Sequence, residues 1–112
     1  MRKQMIENAA HEVATQVRAV EDSIEAALAD IAELQSRMIR ARAVAGVGIA
    51  TGHAALEQLA AATLSLVEAR GGMVGCHAAL VEARTFVPGL RTVGFGDVSQ
   101  CPPASAQLRA VA

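Results

Sequence analysis

The chain has 112 residues, enough for one small domain. Apolar residues make up 53% of it but aromatics only 2%, with no Trp and no Tyr, so alanine and the aliphatics must supply any core. That suits close-packed helices better than a mixed globular interior. A formal net charge of −1 excludes an overall basic field that would gather nucleic acid or acidic lipid.

The opening stretch, MRKQMIENAAHE, has basic residues with no apolar run behind them, so no secretory signal is expected and the expected location is cytoplasmic, alone or in a particle assembled there. Cys76 and Cys101 form no CxxC pair and read as free thiols in a reducing compartment.

From Ile6, alternate steps of four and three reach Ala10, Val13, Val17, Val20, Ile24, Ala27, Ile31, Leu34, Met38, Ala41 and Ala45, all apolar. A repeat of about 3.5 residues is the seam of a left-handed coiled coil. With Ala10 as position a, Ile6 and Val13 fall at d. This predicts a helix over 4–45.

Residues 43–55, AVAGVGIATGHAA, hold Gly46, Gly48 and Gly52. The heptad phase survives them, so a turn and a straight helix look the same by register. Each glycine inside a helix costs about 1 kcal/mol relative to alanine. A turn at about 46–52 uses that freedom instead, with Thr51 as the expected N-cap of a second helix over 52–86.

The count continues through Gly48, Gly52, Ala55, Leu59, Ala62, Leu66, Ala69, Met73, Cys76, Leu80, Ala83 and Val87. Here the d positions are all small and the a positions mostly large. A small residue every seven lets a partner backbone approach closely. Further apolar residues, Ile49, Leu56, Leu64, Val67, Val74 and Val81, spread around the helix. Residues 1–42 hold 13 charged side chains and 43–112 hold eight. A helix apolar on most sides is buried on most sides, and two helices cannot supply that cover alone. Gly71, Gly72 and Gly75 pose the turn question again, as a kink, a second turn or a contact patch.

Phe86-Val87-Pro88-Gly89 ends the helical part, because proline lacks the donor and disfavours helix just before it. Residues 89–112 read as an extended tail, with Val93, Phe95 and Val98 expected to dock on a neighbouring subunit.

Chemistry is thinly represented. His11 stands one turn from Glu7, a spacing that is commoner in surface pairs than in metal sites. His53 reads as a loop or helix-start residue. His77 adjoins Cys76, but adjacent helical side chains diverge, so no joint metal or Cys–His role is expected. Cys101-Pro102-Pro103 reads as a loop cysteine, and no dinucleotide or phosphate-binding glycine motif occurs.

Glu21, Asp22, Glu25, Asp30 and Glu33 form a solvated acidic stretch followed by Arg37, Arg40 and Arg42, with Glu33 and Arg37 one turn apart. Acid followed by base along a helix favours antiparallel or staggered contact between chains. Three arginines without aromatic support are a weak nucleic-acid signal. The longest uncharged run, 43–56, is short of the ~20 residues a span needs, which argues against membrane insertion.

The sequence therefore predicts an all-α protein: a long antiparallel helical hairpin, a coiled coil over 1–88, assembling into an oligomeric bundle. No enzyme activity, cofactor, metal or nucleic acid is expected. The expected interface residues are Val17, Ile24, Ile31, Met38, Ala55, Leu59, Ala62, Leu66, Ala69, Met73 and Leu80. The expected role is structural or scaffolding, as in a virion or secretion-type assembly, with homo-oligomers and other subunits as partners. The alternatives are a small helical adaptor for another protein, or an amphipathic protein associated with lipid.

Overall fold

A computed structural model describes residues 2–87. The tail, with Val93, Phe95, Val98 and Cys101, lies outside the described residues. Among the described residues the fold is all-helical, with two long helices, α1 over Arg2–Ala45 and α2 over His53–Ala83, followed by a single 3-10 turn at Arg84–Phe86.

Helix α1 can run this long because no glycine or proline interrupts it before Gly46. Most of its residues are Ala, Leu, Glu, Arg, Gln and Met, which lose little side-chain freedom in a helix. It stops at Gly46, whose φ of +69° is left-handed, and the Gly46 N–H donates to the Ala43 carbonyl at 3.2 Å. A glycine in that conformation just past the last turn is a common helix stop.

The chain then reverses. The Thr51 N–H donates to the Gly48 carbonyl, and the His53 N–H to the Ala50 carbonyl. Arg42 reaches over from α1 and donates from Nη1 to the Val47 carbonyl at 3.0 Å, which satisfies a loop acceptor. The Gly52 carbonyl accepts the Leu56 N–H at 3.1 Å, so Gly52 (φ +81°), not the expected Thr51, holds the N-cap place of α2. Glycine is about as good as threonine there, and only glycine takes that φ without strain.

Helix α2 passes unbroken through Gly71, Gly72 and Gly75, so this second cluster makes no turn. None of the three has positive φ. At the far end Thr85 Oγ1 donates to the Glu82 carbonyl, the Val87 N–H donates to the Arg84 carbonyl, and Val87 is extended (φ −105°, ψ 122°). An extended residue before Pro88 is what proline sterics impose.

The helices are organised as two units. Glu21–Gly72 contains the reversal with the helix on either side of it. Of the described residues, 2–20 join 73–87 in the other. In the first unit the second helix returns alongside the first, and Arg70 pairs through Nε with Glu25 Oε1. This is the hairpin arrangement in plain view. Both partners of the pair are more than half exposed, so it adds at most about 1 kcal/mol.

Candidate interaction surface

In α1 the less exposed residues follow one stripe. Within Glu21–Gly72 these include Ile24, Ala27, Leu28, Ile31, Met38 and Arg42. Within the other unit they are Ile6, Glu7, Ala10, Ala14, Val17 and Val20. Four residues of the 3.5-residue series in α1 are exposed: Val13, Leu34, and Ala41 and Ala45 near the reversal.

In α2 the stripe is turned by one position. Leu59, Leu66, Met73 and Leu80, all predicted seam residues at a, are buried or partly so. The small d residues Ala55, Ala62, Ala69, Cys76 and Ala83 are exposed. Their place is taken by the next residue along: Leu56, Thr63, His77 and Arg84. Thr63 tolerates the inward place because its Oγ1 donates to the Leu59 carbonyl at 3.0 Å.

The burial achieved is small. Among the described residues, Ala10 and Leu59 are the only buried apolar ones, joined by the buried His77, and no large side chain is fully enclosed. Ala10 is packed by Ile6, Ala14, Leu80, Val81 and Val87. Large apolar side chains stay exposed in both units. Leu64 and Val67 do so in Glu21–Gly72, and Met5, Val13, Val74 and Phe86 in the other. Among the described residues, no atom beyond the adjacent residues and the helix's own nearby backbone lies within 4 Å of where a Cβ on Gly71, Gly72 or Gly75 would stand.

The reversal is a second exposed apolar feature. Val44 is 90% and Ile49 82% exposed, with Ile39 and Val47 exposed as well. Behind them lies an open hollow of about 610 Å³, lined almost wholly by apolar atoms from residues such as Met38, Ile39, Val47, Ile49 and Leu56, with Arg42 and His53 at its polar margin.

Glu33 Oε1 accepts from Arg37 Nε at 2.9 Å, the expected pair, and also from Arg40 Nη2 at 3.5 Å. His53 Nε2 stands 2.9 Å from Glu57 Oε1 on an exposed turn of α2. His11 is exposed, and Cys76 is exposed while its neighbour His77 is buried, so the two present themselves to different surroundings. Among the described residues no three His, Cys, Asp or Glu side chains converge as a metal set. No helix of the described residues is long and apolar enough to cross a membrane.

Comparison with known proteins returned no matching family model, no matching curated protein and no matching solved structure.

Proposed function

We propose that this chain is a non-enzymatic structural or scaffolding protein that assembles with copies of itself through its helices, as a component of a larger particle of the virion or secretion type made in the cytoplasm. The observation that carries the reading is the shortfall in burial. Apolar residues make up 53% of the sequence, yet only Ala10 and Leu59 of them are buried among the described residues. Domains stabilise themselves chiefly by removing apolar surface from water, and exposed apolar patches on this scale mark interfaces.

Two surfaces are offered to a neighbour. One is the open edge of the packed stripe within each unit, where Ile24, Ile31, Met38 and Leu66 of Glu21–Gly72, and separately Val17, Met73 and Leu80 of the other unit, are only partly covered. The other is the outward side of α2, where Ala55, Ala62 and Ala69 let a neighbouring backbone come close. Packing there in the left-handed, knobs-into-holes manner of a coiled coil supplies the missing cover. The test is size-exclusion chromatography with multi-angle light scattering on the full chain. A discrete oligomer is expected; a stable, monodisperse monomer overturns the reading.

A further inference from the structure

We infer that the hairpin tip, residues 44–52, is a docking point for an anionic lipid surface, with Val44, Val47 and Ile49 entering the headgroup–acyl boundary and Arg37, Arg40 and Arg42 facing lipid phosphates.

The apolar half of the argument is exposure. Val44 and Ile49 are among the most exposed large aliphatic side chains of the described residues, and they sit at the reversal between α1 and α2. Val44 sits on the last turn of α1, and the reversal that carries Ile49 is held in shape by left-handed Gly46 and Gly52 and by the Arg42–Val47 hydrogen bond. Their presentation is thus fixed by the backbone. The hollow lined by Met38, Ile39, Val47 and Ile49 carries the apolar surface inward from the tip.

The charged half is asymmetry. Residues 34–56 contain Arg37, Arg40 and Arg42 and no Asp or Glu, a charge of +3; with the flanking Glu33 and Glu57 the stretch 33–57 carries +1, against −1 for the whole chain. Arg42 touches the tip through the Val47 carbonyl, and Arg40 and Arg37 stand about one and two turns back from Val44 along α1. Its nearest carboxylate on α1, Glu33, is shared by Arg37 and Arg40 through a single oxygen, so one negative charge faces two guanidiniums.

An apolar tip with a basic collar is the pattern that adsorbs to anionic bilayers: aliphatic side chains enter the boundary and cations gain from the surface potential. A protein partner would need both a groove for the aliphatic tip and an acidic rim for the arginines, as the acidic stretch 21–33 of a second copy could offer, and the oligomer mass of the tip variant below tests that occupant. The tip is short, so the mode is adsorption and not crossing, in keeping with the lack of a spanning helix among the described residues. The inference does not rest on self-assembly: a monomer that binds vesicles sustains it and still overturns the scaffold reading.

The experiment is sedimentation of the full chain with phosphatidylcholine vesicles containing about one-quarter phosphatidylserine, against phosphatidylcholine alone. Binding is expected to the first and not the second, and to weaken as salt screens the arginines. The double variant Val44→Asp/Ile49→Asp should bind at least about tenfold more weakly, with its helical circular dichroism and its mass by light scattering unchanged. Arg37→Gln should lower binding about fivefold. Three results overturn the inference: no binding to the anionic vesicles, full binding by the double aspartate variant, or a change of oligomer mass in that variant. The last would make the tip a protein contact.

Discussion

Glycines of the same type do opposite work at two places in this chain. Gly46 ends α1 at φ +69°, where any Cβ crowds the following carbonyl. Gly46→Ala should therefore destabilise the hairpin by about 1–2 kcal/mol. Gly71 sits within α2 with ordinary helical backbone and open space where a Cβ would go. Gly71→Ala should stabilise the same hairpin by up to about 1 kcal/mol, through helix propensity and a less flexible unfolded chain. Urea denaturation of the two variants reads the difference in sign directly. If Gly71 gives a neighbouring chain room to approach, the same substitution lowers the association constant while raising the stability of the single chain. Two measurements on one variant thereby separate an internal role from an interfacial one.

At the scale of the element, the two helices differ in how firmly their faces are assigned. In α1, polar and charged residues flank the apolar stripe, so the inward face has one solution. In α2 the nine polar or charged residues among 31 are scattered around the helix and do not mark one wet face, and the covered stripe runs through Leu59 and Thr63, not Leu59 and Ala62. Leu59→Ala should cost about 2–3 kcal/mol, at the lower end for a buried leucine because the surrounding seam is partly open. Leu64→Ala, on the outer side of the same helix, should change the stability of a single hairpin by less than about 0.5 kcal/mol. Thermal or chemical melts under conditions that keep the chain monomeric distinguish the two; equal losses would mean that the inward face of α2 is assigned wrongly. The same contrast explains what could be read beforehand. The extent of α1 and the stop before Pro88 were legible because glycine and proline act locally on the backbone. The glycine clusters at 46–52 and 71–75 were not separable by register, since both preserve the heptad phase. What distinguishes them is conformation, left-handed at Gly46 and Gly52 and helical at Gly71, Gly72 and Gly75. The turn of the α2 stripe by one residue was illegible for a related reason: where polar residues mark no one face, periodicity does not choose among the faces. The exposure of Val44 and Ile49 at the tip depends on the reversal itself, and the sequence marked them only as part of an uncharged run.

At the scale of the whole molecule, the question is where the folding free energy comes from. Ordering each residue costs about 1–2 kcal/mol of backbone entropy, and apolar burial is the main term that offsets it. A chain whose buried apolar residues are Ala10 and Leu59 among those described has little of that term on its own. In the proposed assembly a neighbouring chain would supply it by covering Leu64 and Val67, and folding would then be linked to concentration by mass action. For a dimer, a tenfold rise in concentration adds about 1.4 kcal/mol per association step, or about 0.7 kcal/mol per chain. For a helical domain of this size that corresponds to a melting temperature higher by roughly 3–6 °C. Circular dichroism melts over about a hundredfold range of concentration should show that rise, steeper if more than two chains assemble. Replacing Leu64 and Val67 together by serine should flatten the dependence and lower the melting temperature at high concentration, while leaving the dilute value nearly unchanged. A melting temperature independent of concentration would instead mean that one chain folds on its own despite its open surface, and its exposed apolar faces would then need a different partner.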